Sequence, residues 1–129
     1  MEFRSIGRGM ECTDRLLKGF PIELVFMKML CPGKLLVAIT GEIAGVRSAL
    51  SQARNGNLTY VDDFFLGNPS PSLLSAVRGT TPVEQLEALG IIETFTASSA
   101  LVAADTAAKA APITLADLQL AQGLAGKAH

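Results

Sequence analysis

Cysteine has the most specific chemistry in this sequence, and its two cysteines lie in different settings. Cys31 opens the tetrapeptide 31–34, Cys-Pro-Gly-Lys, between two apolar runs, whereas Cys12 lies in a stretch of helical periodicity. A thiolate can bind a metal, but a lone cysteine before Pro-Gly is more often a partly buried turn residue than a ligand. In a reducing cytosol the two cysteines need not pair. We expect Cys12 to serve packing and keep Cys31 as the candidate ligand.

Residues for acid–base or nucleophilic catalysis are scarce. The single histidine is His129, so no histidine pair or triad can form within the chain. Asp62 and Asp63 are adjacent, and strand neighbours point to opposite faces, so their carboxylates would not share a site. Residues 7–9, Gly-Arg-Gly, are too short for a phosphate loop. We therefore predict that the protein is not an enzyme.

Composition indicates a globular chain. Of 129 residues, 49% are apolar and 18% are charged, which is enough to bury a core. A net charge of −1 without any Lys/Arg run argues against nucleic acid and against an anionic membrane surface as partners. Charged residues such as Glu23 and Lys28 interrupt the longest apolar stretch, and no signal-peptide pattern follows Met1. We expect a cytoplasmic protein.

An internal repeat organises the elements that must position Cys31. Residues 2–24 recur 91 positions later as residues 93–115, so that Asp14 corresponds to Asp105 and Lys18 to Lys109. A period of about 90 residues is long enough for a small domain with its own core. Because one chain has two similar domains, a trimer of such chains can arrange six domains as a hexamer does.

The repeat also predicts that the chain is part of a longer one. Copy one lacks a counterpart of the apolar run 88–92, and copy two ends early. With a two-residue insertion, His129 corresponds to position 36, so the equivalent of 37–80 is absent from copy two. In an alternative reading, residues 88–94 fill the place of the absent first strand.

Periodicity and turn signals predict alternating helices and strands. The order is an α/β fold of the α+β kind, a ferredoxin-like β-α-β-β-α-β arrangement, in tandem. We predict a first domain at 1–80, a linker at 81–87 and a second domain at 88–129. Helices are predicted at 7–19, with Ile6, Met10, Leu17 and Phe20 on its apolar face, and at 43–56, 72–77 and 98–111, and strands at 22–29, 34–40, 59–65, 88–94 and 114–119.

Short motifs in both copies of the repeat resemble those of one known family. In copy one they are Gly9-Met10-Glu11, Asp14, Lys18, Ile22-Glu23-Leu24-Val25, Cys31-Pro32-Gly33-Lys34 and Gly41-Glu42-Ile43-Ala44-Gly45-Val46. In copy two they lie at 89–94, 103–105 and 109–110. Nearly the whole chain thus resembles the shell-protein domain of bacterial microcompartments, in its tandem-domain form, and residues 89–94 are similar to the opening strand of that family.

The resemblance implies a site at the loop between the second and third strands. In that family the loop lines a pore on the symmetry axis, which here corresponds to Leu30, Cys31, Pro32, Gly33 and Lys34. In the tandem form that the chain resembles, the loop cysteines of three subunits bind one [4Fe–4S] cluster. The corresponding loop of copy two, residues 121–127, has Gln-Gly in place of Cys-Pro and cannot contribute such a ligand.

The resemblance also implies partners. The chain would form a homotrimer, with Lys18 and Lys109 at edges where it meets other shell proteins of a microcompartment in the cytoplasm. Redox enzymes enclosed by the shell are further expected partners. Two alternatives stay open: a shell protein whose pore carries metabolites without a cluster, and a trimeric ferredoxin-like regulator that binds a small molecule.

Overall fold

The computed structural model describes residues 1–56, 59–83, 87–121 and 127–129. It divides into two compact units, unit one at Met1–Phe65 and unit two at Leu66–His129. The two units do not coincide with the predicted domains, since the helix at 71–78, predicted in the first domain, belongs to unit two. The domain bounds stay a prediction. Residues 84–86 of the predicted linker lie outside the described residues.

A four-stranded antiparallel sheet and two helices build unit one. The elements follow the predicted β-α-β-β-α-β order. They are β1 (Glu2–Phe3), α1 (Ile6–Gly19), β2 (Ile22–Leu30), β3 (Lys34–Gly41), α2 (Ile43–Gly56) and β4 (Tyr60–Asp62). The strands lie in the order β2-β3-β1-β4, and every neighbouring pair is antiparallel.

The centre of this sheet corrects one expectation. The sequence predicts that copy one lacks its first strand, yet two residues of that strand, Glu2 and Phe3, form β1 between β3 and β4. Both are completely buried. The alternative in which residues 88–94 take this place is wrong, because β1 already holds it and 88–93 form no strand.

The two helices of unit one pack against each other and against the sheet. The predicted helix at 7–19 is confirmed, and Ser5 caps it by accepting a hydrogen bond from the Arg8 backbone N–H. The side of α1 that faces the sheet is spaced i, i+3, i+4, i+7, as an amphipathic helix requires. It consists of Gly9, Cys12, Thr13 and Leu16.

The predicted apolar face of α1 needs one correction. Ile6, Leu17 and Phe20 pack at the edge of the core, but Met10 is 41% exposed. The sheet-facing side is instead centred on Gly9, where an added Cβ would lie 2.8 Å from the Leu35 side chain. The helix approaches the sheet most closely at Gly9, so Met10, the next residue, lies outside the contact with the sheet.

Strand β4 is shorter than the predicted strand at 59–65. It ends at Asp62, the partner of Glu2, because a strand extends only as far as its neighbour pairs with it and β1 is two residues long. The carboxylate of the next residue, Asp63, accepts hydrogen bonds from the guanidinium of Arg54 and the hydroxyl of Tyr60. The backbone N–H of Asp63 donates to the Asp62 carboxylate at 2.9 Å.

Unit two contains two helices, α3 (Pro71–Arg78) and α4 (Ala97–Ala110), which pack against each other. Both confirm the helices predicted from sequence. Thr96 caps α4 by accepting from the Ser99 backbone N–H at 3.0 Å, and Gly79 ends α3 with a φ of 65°.

The two strands predicted in unit two do not form as continuous strands. Among the pairs between described residues, 88–94 contribute one bridge, from Thr94 to Ala128, and 114–119 contribute one pair, in which Gln119 and His129 exchange two backbone hydrogen bonds. A strand needs a partner along its length, and the described partner segment is 127–129.

These few pairs nevertheless repeat the register of unit one. The Thr94–Ala128 bridge corresponds to the Phe3–Leu35 pair, and the Gln119–His129 pair corresponds to Lys28–Leu36. The offset is 91 before the second loop and 93 after it. The two-residue insertion predicted from sequence is therefore confirmed, and it lies between Gln119 and Ala128.

Candidate functional site

The candidate site is the tip of the β2–β3 hairpin, residues 30–34. Leu30 and Lys34 form the last pair of the two strands, and residues 31–33 make the turn between them. The Cys31–Pro32 peptide bond is cis, and Gly33 has a φ of 79°, a left-handed conformation that favours glycine. The Cys-Pro-Gly turn predicted from sequence is thus confirmed.

The turn is exposed, but both of its ends are anchored. Cys31, Pro32 and Gly33 are all exposed, whereas the Leu30 side chain is buried. An added Cβ on Gly33 would meet nothing within 4 Å, so the backbone faces open space there. The hairpin therefore presents the Cys31 thiol on a short turn. The pairing of β2 with β3 fixes which residues form that turn.

Lys34 and Glu2 form an ion pair below the turn. The Glu2 side chain is completely buried and that of Lys34 is 15% exposed. Among the described residues, the second carboxylate oxygen of Glu2 has no hydrogen-bond partner. The structure thus directs the Lys34 ammonium into unit one, where it links the base of the loop to the central strand.

Sequence reasoning missed Glu2 as part of this site, although the repeat contained the signal. Glu93 corresponds to Glu2, and Lys127 corresponds to Lys34 after the two-residue insertion. The structure pairs Lys127 with Glu93 at 2.7 Å, as it pairs Lys34 with Glu2. A glutamate and a lysine that recur together in both copies indicate a contact between them.

A metal site cannot be completed within one chain by the described residues. They contain no group of three or more His, Cys, Asp or Glu side chains that could hold a metal ion. Cys31 supplies one exposed thiol, while Cys12 is buried in the core of unit one, as its expected packing role requires. The residues present fit a metal group only where several chains each contribute one Cys31.

The other sequence-predicted site residues lie apart from this loop. Lys18 is exposed and pairs with Asp14 at 2.7 Å, four residues before it on α1. Lys109 is half-exposed and pairs with Asp105 on α4. Most of the copy-two loop, residues 122–126, lies outside the described residues.

The class of protein follows from the fold order, its repetition and a comparison with protein families. The BMC domain, the domain of bacterial microcompartment shell proteins, matches residues 1–69 and 88–128. The chain belongs to this family. The resemblance and the fold class predicted from sequence are confirmed.

Particular relatives place the chain more closely within the family. The bacterial microcompartment shell protein PduT of Citrobacter freundii is 35% identical over 131 residues, which cover 100% of this chain and 71% of the relative. A crystal structure of a microcompartment protein from Desulfitobacterium hafniense has a TM-score of 0.82 and 41% identity, covering 98% of this chain and 71% of that one. The chain is thus similar to the tandem shell protein T of propanediol-utilisation compartments.

None of the helices in the described part of the chain is both long enough and apolar enough to cross a membrane.

Proposed function

We propose that this chain is a structural shell protein of a bacterial microcompartment in the cytoplasm. Three copies form a flat, pseudohexameric tile, meaning a cyclic assembly that packs edge to edge with other shell proteins. The repetition of strand register at offsets of 91 and 93 supports this proposal, because it gives one chain two copies of the same building unit. In such a tile the β2–β3 loops lie around the central axis.

The loop supports a more specific role, which is to hold one [4Fe–4S] cluster per trimer through Cys31 of three chains. The observation that carries it is the exposed Cys31 thiol at the tip of an anchored hairpin. Three thiolates around one axis supply three of the four ligands that such clusters usually take, and an outside ligand completes the fourth. When bound, the cluster supplies one-electron transfer across the shell or is delivered to an enclosed redox enzyme.

The neighbouring residues each have a task in that arrangement. Pro32 stiffens the turn, and Gly33 lets the backbone approach a bulky group because it carries no Cβ. Lys34 holds the base of the loop through Glu2 rather than reaching toward the axis. Copy two has glutamine and glycine where copy one has Cys31 and Pro32, so only alternate loops around the axis ligate iron.

Two other functions are compatible with the same chain. The nearer one keeps the tile and gives it a plain pore for metabolites, with Cys31 as a turn residue. A regulator that binds a small effector between subunits is the second, and it has no support beyond the fold order. We favour the cluster because the side chain of Cys31 is exposed, whereas a turn cysteine that serves packing would be buried.

The Cys31→Ser variant tests the cluster. Serine keeps the shape of the loop but is a poor ligand for iron in a sulfur-rich cluster, so iron binding should be lost completely. Wild-type protein, reconstituted anaerobically, should contain about four iron and four sulfide per three chains. The matched control is Cys12→Ala, which removes the buried thiol and should leave the iron content unchanged.

Two results would contradict the cluster. One is equal iron content in wild type and Cys31→Ser, and the other is a reconstituted wild type that stays colourless and free of iron. Neither result contradicts the proposed tile, because sedimentation measures the trimer and electron microscopy shows its sheets independently of iron content.

Lys18 and Lys109 are proposed to lie at the edges of the tile. Both ammonium groups are accessible, although each is paired with an aspartate one turn away. Replacing either with Asp should prevent sheets while leaving the trimer intact, since a like-charge contact at an edge is unfavourable. Electron microscopy of sheets formed by the variants measures this effect. Unchanged sheets would mean that both lysines are ordinary solvated surface residues.

A further inference from the structure

The ion pair between Glu2 and Lys34 lies beside buried apolar side chains. Leu36 is the cross-strand partner of Glu2, Leu30 is that of Lys34, and both leucines are buried. The Glu2 carboxylate accepts a hydrogen bond from the Lys34 ammonium, and its second oxygen has no partner among the described residues. Both charged groups have therefore lost most of their hydration.

Stability alone does not account for this pair. Taking two charges out of water costs about as much as their attraction returns, and apolar side chains of similar size in their place are often neutral or stabilising. Apolar residues would suit both positions, since their cross-strand partners are leucines. What the pair does determine is the position of a charge, because Glu2 holds the Lys34 ammonium inside unit one.

Without Glu2 the ammonium would turn toward the exposed loop. A buried ammonium that has lost its carboxylate is costly, and the lysine stem is flexible enough to carry it back to water. The neighbouring turn, residues 31–33, is exposed. Cys31 and Lys34 are three residues apart across that turn, and the Cα atoms of such residues lie within about 7 Å of each other. A released Lys34 would thus bring a positive charge close to the Cys31 thiol.

The two copies of the repeat differ in the same respect. In copy two, the corresponding Lys127 is at the surface, with Glu93 as its partner and its Nζ 5.8 Å from the centre of the Phe95 ring. The loop that precedes Lys127 has no cysteine, whereas the loop that precedes Lys34 has Cys31. The copy that presents a thiol is therefore the one that buries its lysine.

We propose that Glu2 is a positioning residue for the cluster-binding loop, which keeps the Lys34 ammonium of each chain away from Cys31 and so lowers the reduction potential of the cluster. Taking up one electron from an outside donor makes the cluster more negative, and nearby cations favour that reduced form, since net charge is one of the factors that set such potentials. Three chains around the axis withhold three ammonium groups. The effect on the potential rests on the proposed cluster, whereas the position of the ammonium does not.

Lysine acetylation of the iron-free protein tests the position of the ammonium. With limiting acetic anhydride, mass spectrometry compares the acetylation rates of Lys34 and Lys127 in the same sample. Lys34 should react at least about tenfold more slowly, because its ammonium must first leave a buried carboxylate. In Glu2→Leu, the two lysines should react at similar rates. Similar rates in the wild type would overturn the proposal.

Redox titration of the reconstituted protein tests the effect on the potential. Dithionite is the reductant, and the visible absorbance of the cluster is followed in the presence of mediators. Glu2→Leu should have a higher midpoint potential than the wild type. The double variant Glu2→Leu/Lys34→Met keeps the same change at Glu2 but lacks the released charge, so its potential should return to the wild-type value. Glu93→Leu is the matched control and should leave the potential unchanged, because Lys127 is already at the surface.

Two results of the titration would overturn the role of Glu2. One is equal potentials for Glu2→Leu and the double variant, which would mean that the released ammonium does not act on the cluster. The other is a double variant with a potential below that of the wild type, which would mean that Lys34 already acts there in the wild type. This second comparison also decides the matter if Glu2→Leu does not fold, since the double variant has no unpaired buried charge.

Failure of the cluster is a separate outcome. A reconstituted wild type without iron would contradict the cluster and with it the effect on the potential, while the acetylation rates still decide where the Lys34 ammonium lies. Normal iron content together with equal potentials for all variants would leave the cluster in place and overturn the role of Glu2.

Discussion

The two copies of the repeat place the same ion pair in different surroundings. In unit one, Glu2 and Lys34 are 0% and 15% exposed, whereas the corresponding Glu93 and Lys127 in unit two are 58% and 48% exposed. Both partners recur at corresponding positions in the two copies, with a two-residue insertion between them in copy two, so the pairing itself is a property of the repeated sequence. Its energetic weight depends on what covers it, because a buried ion that loses its partner is far more costly than an exposed one.

The helices show the opposite distribution. The Asp14–Lys18 pair of α1 is exposed, whereas in the corresponding Asp105–Lys109 pair of α4 the aspartate is 5% exposed. Copy one thus buries the ion pair at its sheet centre and exposes the one on its helix, while copy two exposes the first pair and buries the aspartate of the second. The comparison teaches that a duplicated sequence supplies the same contacts twice, and that the neighbouring elements decide which of them become structural.

The largest difference is expected at the Glu2 and Glu93 pair of positions. Glu2→Leu leaves the mostly buried Lys34 ammonium without its carboxylate and should lower the free energy of unfolding by about 3 kcal/mol. Glu93→Leu, at an exposed pair, should cause no measurable loss. Urea unfolding followed by circular dichroism measures both. The double variant Glu2→Leu/Lys34→Met should recover most of the loss, since it leaves no unpaired charge, and equal midpoints for the two single variants would break the comparison.

A second difference is expected at Met10 of α1 and Leu101 of α4, which correspond in the repeat. Leu101→Ala opens a cavity under α3 and should destabilise unit two by about 3 kcal/mol. Met10→Ala, its counterpart on α1, should change the free energy of unfolding by about 0.5 kcal/mol or less, because that side chain is substantially exposed. Hydrogen exchange of amides in each unit assigns the loss to its helix. A large loss for Met10→Ala would mean that its exposed side chain contributes more to the fold than the structure indicates.

The corresponding carboxylates of the two helices, Asp14 and Asp105, give a smaller contrast. Asp105→Ala leaves the Ser70 N–H and the Lys109 ammonium without their acceptor and should cost about 2 kcal/mol. For Asp14→Ala the expected cost is about 0.3–0.5 kcal/mol, as for an exposed helical ion pair. Thermal unfolding of the two variants under the same conditions provides the measurement. Similar melting temperatures would show that the N–H bond at Asp105 contributes little.

The smallest expected effect is a dependence on pH. Burial acts to raise the pKa of Asp105, but the hydrogen bonds from Lys109 and Ser70 and the charge of Lys109 outweigh it and hold that pKa below its ordinary value of 3.8. A carboxyl group with a depressed pKa in the folded state stabilises the fold above its unfolded pKa, and this stabilisation is lost as the pH falls through the folded value. The stability difference between wild type and Asp105→Asn should therefore be largest above about pH 4 and shrink below it. A difference that stays constant down to pH 2 would contradict this.

Much of the fold could be read from local patterns. The helices at α1, α2, α3 and α4 lie within two residues of their predicted bounds, and Ser5 and Thr96 cap the two copies of the same helix. The Cys31 turn and the Asp14–Lys18 pair are likewise local, since each involves residues no more than four apart. The predictions that failed concern pairing over long distances: β1 was not foreseen, and 88–93 and 114–118 do not form strands.

By itself the sequence determined the repeat, the helices with their caps, the turn that contains Cys31, and the family to which the chain belongs. Helix periodicity and capping act within a few residues, so they are visible without knowledge of the fold. The tertiary structure alone decided that Glu2 lies at the sheet centre beneath the loop, and that Asp105 is covered while Asp14 is open. Burial depends on which distant segment packs opposite a residue, and the same sequence pattern can therefore end in the core in one copy and in water in the other.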